Sequence, residues 1–251
     1  MLPIGDDDNP APLFPWVNLA IIAACVVVFL YQLVNPDFTA GYSAVPAEIT
    51  TGRDLVGQFP VTLPDGTTAI IPEAPGPMPI WLTLLTSMFM HGGWAHIGGN
   101  MLFLFIFGDN VEKAFGHVRY LAFYLVCGLA ASLAQAYSAP DSILPSLGAS
   151  GAIAGVLAAY LVLFPTNRVR VLIGYFVTSV PAIAMIGLWA LIQFANGFGS
   201  TTVDAQAGGV AYFAHIGGFI CGFILAFILK PFSDRGIGPH VVGYPQRGTF
   251  G

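Results

Sequence analysis

The sequence predicts an all-α membrane protein, a bundle of six transmembrane helices, and three observations carry that prediction. Of the 251 residues, 56% are hydrophobic and only 8% are charged, against about 25% charged in a soluble domain. The mean hydropathy is +0.76. The apolar residues also gather into runs of roughly twenty, the length that crosses a hydrocarbon layer of about 30 Å at about 1.5 Å per residue. A net charge of −5 with no basic patch argues against nucleic acid as a partner. The partner implied by these runs is the lipid bilayer. Cys25, Cys127 and Cys221 each lie in an apolar run at no metal-binding spacing and read as packing residues.

Taken in order, residues 1–14 read as an N-terminal tail. Asp6, Asp7 and Asp8 make it acidic, and it carries no Lys or Arg. It lacks the basic opening of a secretory signal and is expected to stay on the protein. The membrane domain is expected over 15–230, with an uncharged first span from Pro15 to Val34. The outer loop, about 35–80, is rich in Pro, Gly and Thr. Its Leu63-Pro64-Asp65-Gly66-Thr67 turn lets Phe59–Leu63 and Thr67–Ile71 pair as a hairpin. Ile80–Met90 mixes Trp81, Leu84, Leu85, Met88 and Phe89 with Thr83, Thr86 and Ser87, a composition for a short interfacial helix. Five further spans are predicted at about Gly93–Val111, Val118–Tyr137, Ala149–Phe164, Val169–Phe194 and Gly209–Leu229. Residues 231–251 show no periodic pattern and are read as a disordered tail.

With the N-terminus cytoplasmic, the inner side holds Lys113, Arg119, Arg168, Arg170, Lys230, Arg235 and Arg247, and the outer side only Arg53. Such an asymmetry orients membrane proteins and predicts both termini in the cytoplasm. The fourth span then starts at the outer face with Ser150. The second and sixth spans run the same way, which gathers His91, His96, Asn100 and His215 into one leaflet. Polar side chains are costly in a bilayer, and such a cluster points to function.

Ser150 lies in Gly148-Ala149-Ser150-Gly151, at a predicted helix start. Free backbone N–H groups and the helix dipole favour negative charge there, and the glycines let a substrate backbone approach. The same tetrapeptide also suits close helix packing. A serine hydroxyl becomes a nucleophile when a neighbouring base takes its proton, a task suited to neutral imidazole, and His215 is the best base. His96 and Asn100, spaced i, i+4, share a helix face and can both donate to one point, as an oxyanion site requires. Asp141 or Asp204 could orient His215, although a two-member pair is simpler. His91 and His96 are five residues apart, share no face, and have no acidic residue or cysteine near in sequence to complete a tetrahedral site, so no metal is expected. Nor is a cofactor.

The stretches His91-Gly92-Gly93-Trp94-Ala95-His96-Ile97-Gly98-Gly99-Asn100, Gly148-Ala149-Ser150-Gly151 and Ala214-His215-Ile216-Gly217-Gly218 resemble the signatures of the rhomboid intramembrane serine proteases, over about Trp81 to Leu229. The resemblance implies a six-helix rhomboid-like core with a Ser150–His215 catalytic dyad. It further implies that His96 and Asn100 hold the oxyanion, that Gly148 shapes the approach to the serine, and that His91 gives support. Gly218 and Gly222, at Gly-xxx-Gly spacing, would let the sixth span press against the fourth. Two positions depart from the family pattern. Many members carry an aromatic residue four positions after the serine, stacked on the histidine. Ala154 stands there, which leaves His215 either more loosely held or flanked by a substitute ring such as Tyr212 or Phe213. A Trp-Arg pair common in the first outer loop is replaced by Trp81-Leu82.

The implied reaction is serine endoproteolysis of transmembrane segments of membrane-protein substrates, favoured where small residues weaken the substrate helix. Asn196–Gly209, rich in glycine, is expected to cap the site. One alternative is a catalytically silent rhomboid-like protein that binds transmembrane helices, though such relatives typically lack the serine or the histidine. Another is a small transporter, whose polar residues should continue into the inner leaflet. The compact six-span plan suits a prokaryotic plasma membrane.

Overall fold

The computed structural model describes residues 2–7, 12–62, 66–199 and 210–233. The chain begins with β1 (Leu2–Asp6) and α1 (Trp16–Val34). The loop after α1 forms two short helices that each open on a proline, α2 (Pro36–Tyr42) and α3 (Pro46–Thr51). Proline at this position has no N–H to leave unpaired and its φ is already helical. The expected hairpin follows as β2 (Gly57–Thr62) and β3 (Thr68–Glu73), pairing Phe59 with Ile71. A helical stretch from Ile80 to Phe89, with α4 (Thr83–Thr86) at its centre, leads to α5 (Trp94–Phe103). That helix continues without a break through a π-helical turn, Leu104–Gly108, into α6 (Asp109–Phe115). The remaining elements are α7 (His117–Ser138), α8 (Ser150–Leu163), β4 (Arg168–Ile173), β5 (Phe176–Pro181), α9 (Ala182–Gly199) and α10 (Tyr212–Leu229).

The described chain is mainly helical, but its strands amend the all-helical expectation. Among the described residues four helices are long and apolar enough to cross a membrane: α1, α7, α9 and α10, the last extended by a short turn to Phe232. The expected fifth span is corrected most. Residues 169–181 are not helical; β4 and β5 form a hairpin that pairs Ile173 with Phe176, and β1 adds to its other side. The reason is visible in Arg168-Val169-Arg170-Val171, where both valines are buried and both arginines exposed. Period-two alternation belongs to a strand, whatever the summed hydropathy. The same pairing takes residues 2–6 out of a free tail and into a sheet.

α8 lies at the centre. Every residue from Gly151 to Tyr160 is buried, and α7 and α10 flank the helix. Its 14 residues rise only about 21 Å, less than a hydrocarbon layer of about 30 Å. Glycines set the approach of α10. A Cβ on Gly218 would fall 1.9 Å from the Gly151 carbonyl oxygen, and one on Gly222 would fall 2.4 Å from the Gly155 Cα. The two backbones therefore touch where no side chain fits.

Candidate active site

Ser150 is the first residue of α8. The segment entering it is fixed from both sides. Ser146 exchanges two backbone hydrogen bonds with Ala44, of 3.0 and 2.8 Å, and Gly148 N donates to Ser87 O at 2.9 Å. Gly148 has a φ of +134°, and a Cβ there would lie 2.9 Å from His96 Nε2. Both facts require glycine, and together they bring the His96 ring edge close to the serine. Ile153 N donates to Ala149 O at 3.0 Å, so the N–H groups of Ser150, Gly151 and Ala152 precede the first intrahelical bond of α8.

The α8–α10 glycine contact sets His215 beside Ser150: His215 Nε2 lies 2.8 Å from Ser150 Oγ. On the other side of the ring, Nδ1 lies 2.8 Å from Gln193 Oε1 of α9. Trp189, one turn earlier on α9, has its ring 5.8 Å from the imidazole at an interplanar angle of 39°. Gln135 of α7 accepts a hydrogen bond from Ala214 N at 3.2 Å, occupying one of the free donors at the start of α10.

Two sequence expectations change here. The group on Nδ1 is an amide of α9 rather than Asp141, and Asp204 lies outside the described residues. The ring beside His215 is Trp189, not Tyr212 or Phe213. Tyr212 instead bonds Asn196 through its hydroxyl, and Phe213 packs on Phe198. Those two residues lie within one turn of His215 on its own helix and leave its flank to the neighbouring helix. Of the expected cap, Asn196–Gly199 is the last turn of α9, and residues 200–209 lie outside the described ones.

A cavity of about 380 Å³ opens over the pair, lined by His96, Asn100, Gln135, Leu144, Ser150 and His215 among others. Gly92 N donates to His96 Nδ1 at 3.2 Å. That bond makes Nδ1 the acceptor and leaves Nε2 carrying the proton. The Asn100 side-chain nitrogen is buried and has no partner among the described residues. His91, 2% exposed, stands behind His96 with the rings edge to face at 5.3 Å, and its backbone N donates to Gln32 Oε1 at 2.9 Å. Ser150, His215, His96 and Asn100 thus line one space, with Gly148 packed against His96 beside it and His91 outside its lining. A hydroxyl against an imidazole, beneath two unspent N–H donors and a helix start, can support nucleophilic attack and hold an oxyanion.

Sequence reasoning missed Gln193, Trp189 and Gln135. The signal for the two glutamines was present, since each is an uncharged polar residue inside an apolar run, where the cost of burial asks for a partner.

The family model "Rhomboid domain" matches residues 79–232. RHOMBOID-like protein 4 of Arabidopsis thaliana is 30% identical over 227 residues, 86% of this chain and 53% of that protein. Rhomboid protease GluP of Bacillus subtilis (strain 168) is 34% identical over 171 residues, 68% of this chain and 28% of that protein. Rhomboid protease AarA of Providencia stuartii is 30% identical over 173 residues, 62% of this chain and 59% of that protein. The chain therefore matches about half or less of the first two relatives' own length. With its domain match and four apolar helices, this integral membrane protein belongs to the rhomboid family.

Proposed function

We propose that the protein is an intramembrane serine endopeptidase that cleaves transmembrane segments of membrane-protein substrates through a Ser150–His215 dyad. The observation that carries this conclusion is the 2.8 Å approach of Ser150 Oγ to His215 Nε2 beneath a cavity of about 380 Å³. Two relatives named as rhomboid proteases support the reaction class.

In the proposed reaction Ser150 Oγ attacks the scissile carbonyl carbon while its proton passes to His215 Nε2. The carbonyl oxygen takes up negative charge and is met by the N–H groups at the start of α8, by His96 Nε2–H and by the Asn100 amide. Collapse expels the amine, which receives the proton from His215. Water, activated by the same imidazole, then releases the acyl group from Ser150.

The proposed membrane domain spans about 15–230 and has six crossings, the unbroken rod from Trp94 to Phe115 and α8 joining the four long helices. Both termini are cytoplasmic, and Ser150 lies in the outer half. The shortness of α8 supports an intramembrane site, because a helix of about 21 Å leaves an end inside the hydrocarbon layer. A substrate helix must unwind to expose a carbonyl, so small or helix-breaking residues near the cut should favour it.

The test is cleavage in liposomes of single-span proteins that differ in Gly, Ser and Pro content, with the new termini read by mass spectrometry. The expected result is a cut within the span by the intact protein and none by Ser150→Ala. No cut by the folded intact protein, or the same cut by the variant, overturns the proposal.

A further inference from the structure

We propose that Gln193 is a positioning residue for this reaction: its side-chain oxygen holds Nδ1–H of His215 and so fixes both the tautomer and the ring orientation in which Nε2 faces Ser150. The proposal rests on Ser150 and His215 acting as a dyad.

A neutral imidazole carries one proton on either nitrogen, and only the Nδ1–H form presents a lone pair at Nε2 to the serine. Gln193 Oε1, 2.8 Å from Nδ1, can only accept, so this contact selects that form. An amide does so without adding charge to an apolar site. Trp189 lies one turn before Gln193 on the same face of α9 and flanks the ring at 5.8 Å, which limits its rotation. The contact is built into the packing of the helix. Ala182, Met185, Ile186, Ala190 and Gly197 are the buried residues of α9, and Trp189 and Gln193 continue their stripe at spacings of three and four. Gly197 seats this face on α10, since a Cβ there would fall 2.7 Å from the Ile216 side chain.

The other elements around His215 offer Ser150 from α8, Gln135 from α7 and His96 from α5, and of these His96 is the titratable group. None of them replaces Gln193 at Nδ1. A glutamine that merely satisfied its own polarity would affect stability and leave the chemistry untouched.

The experiment uses the full chain in mild detergent and measures its rate of labelling by a fluorophosphonate probe, with Gln193→Met and Gln193→Glu beside it. Gln193→Met is expected to slow labelling about ten- to a hundredfold, by analogy with the range for groups that orient a metal-ligating histidine, while the probe concentration at half-saturation stays the same. Gln193→Glu, which keeps an acceptor of the same length, is expected to restore most of the rate. Nitrogen-15 signals of the His215 ring should report Nδ1–H in the intact chain and a mixture of tautomers in Gln193→Met. Intact-rate labelling by Gln193→Met, equal slowing in both variants, or an unchanged tautomer in Gln193→Met overturns the proposal. Labelling that is present but indifferent to Gln193 leaves the dyad standing; no labelling of the folded intact chain removes the dyad itself.

Discussion

Two polar clusters occupy opposite ends of the same apolar bundle and are built in opposite ways. Where α8 ends, Glu112 is fully buried and its carboxylate is saturated. It accepts the N–H groups of Val17 at 3.0 Å and Asn18 at 2.6 Å, and it lies 2.5 Å from His117 Nδ1. Asn18 in turn donates to Leu104 O and accepts from Tyr120, and Asp6 accepts from Tyr160 and Asn110. These bonds cap the start of α1 and tie it, with β1, to the core. At the other end, the Asn100 amide nitrogen has no partner among the described residues, and a cavity stands over the serine. A buried polar group without a partner costs about 1–3 kcal/mol. A closed cluster stabilises the fold; an open one keeps donors for a charge that develops only during reaction.

The comparison predicts opposite responses to mutation. Ser150→Ala or His215→Ala should lower cleavage by at least about 10³-fold while thermal unfolding moves little. An equally large fall in stability would show that the site end is structural after all. Gly218→Val should come next. Its side chain would enter the Gly151 carbonyl and part α10 from α8, and a displacement of about 1 Å at a catalytic pair costs about a hundredfold. Full activity in that variant would sever the link between glycine packing and the dyad. Glu112→Ala belongs to the closed end and should reverse the pattern. It strips two α1 donors of their acceptor, for a loss of about 3 kcal/mol in denaturant unfolding, with the labelling rate of the folded fraction unchanged.

The smallest expected effect lies in the loop between α1 and the Ile80–Phe89 stretch. Glu73 is buried with neither oxygen bonded among the described residues; burial, then the charges of Glu48 and Asp54, push its carboxyl up to about 8. Burial also raises Glu48 to about 7, against the pull of its hydrogen bond from Leu55 N. Both acids bind protons more tightly folded than unfolded. The stability they contribute is complete below about 4.5 and is lost as pH rises through 7 to 8. Hydrogen exchange at Leu55 and Gly76, corrected for the intrinsic rate, should therefore show less protection at pH 8.5 than at pH 5.5. Glu73→Gln should flatten the difference, and a flat profile in the intact chain would deny these carboxyls their part.

How much of this was legible followed from the range of each signal. The hairpin at Phe59–Ile71 and the helical stretch at Ile80–Phe89 were readable because turn residues and local composition decide them. That Ser150, His215, His96 and Asn100 meet in one place was readable because each is a costly polar group inside an apolar run. The β4–β5 hairpin was lost when hydropathy was summed over a stretch whose alternation carried the information. Gln193 and Trp189 reach His215 from another helix, and no spacing within one segment reveals which helix lies alongside. The saturated cluster around Glu112 joins residues roughly a hundred positions apart and left no local trace either.

The most direct test of the central claim, that the open polar end holds an activated serine, is fluorophosphonate labelling of the full chain in mild detergent with the modified residue located by mass spectrometry. The account predicts a single adduct on Ser150, absent from Ser150→Ala and from His215→Ala although both variants unfold at nearly the intact temperature. An unlabelled but folded intact chain, or an adduct that survives His215→Ala at full rate, would contradict it.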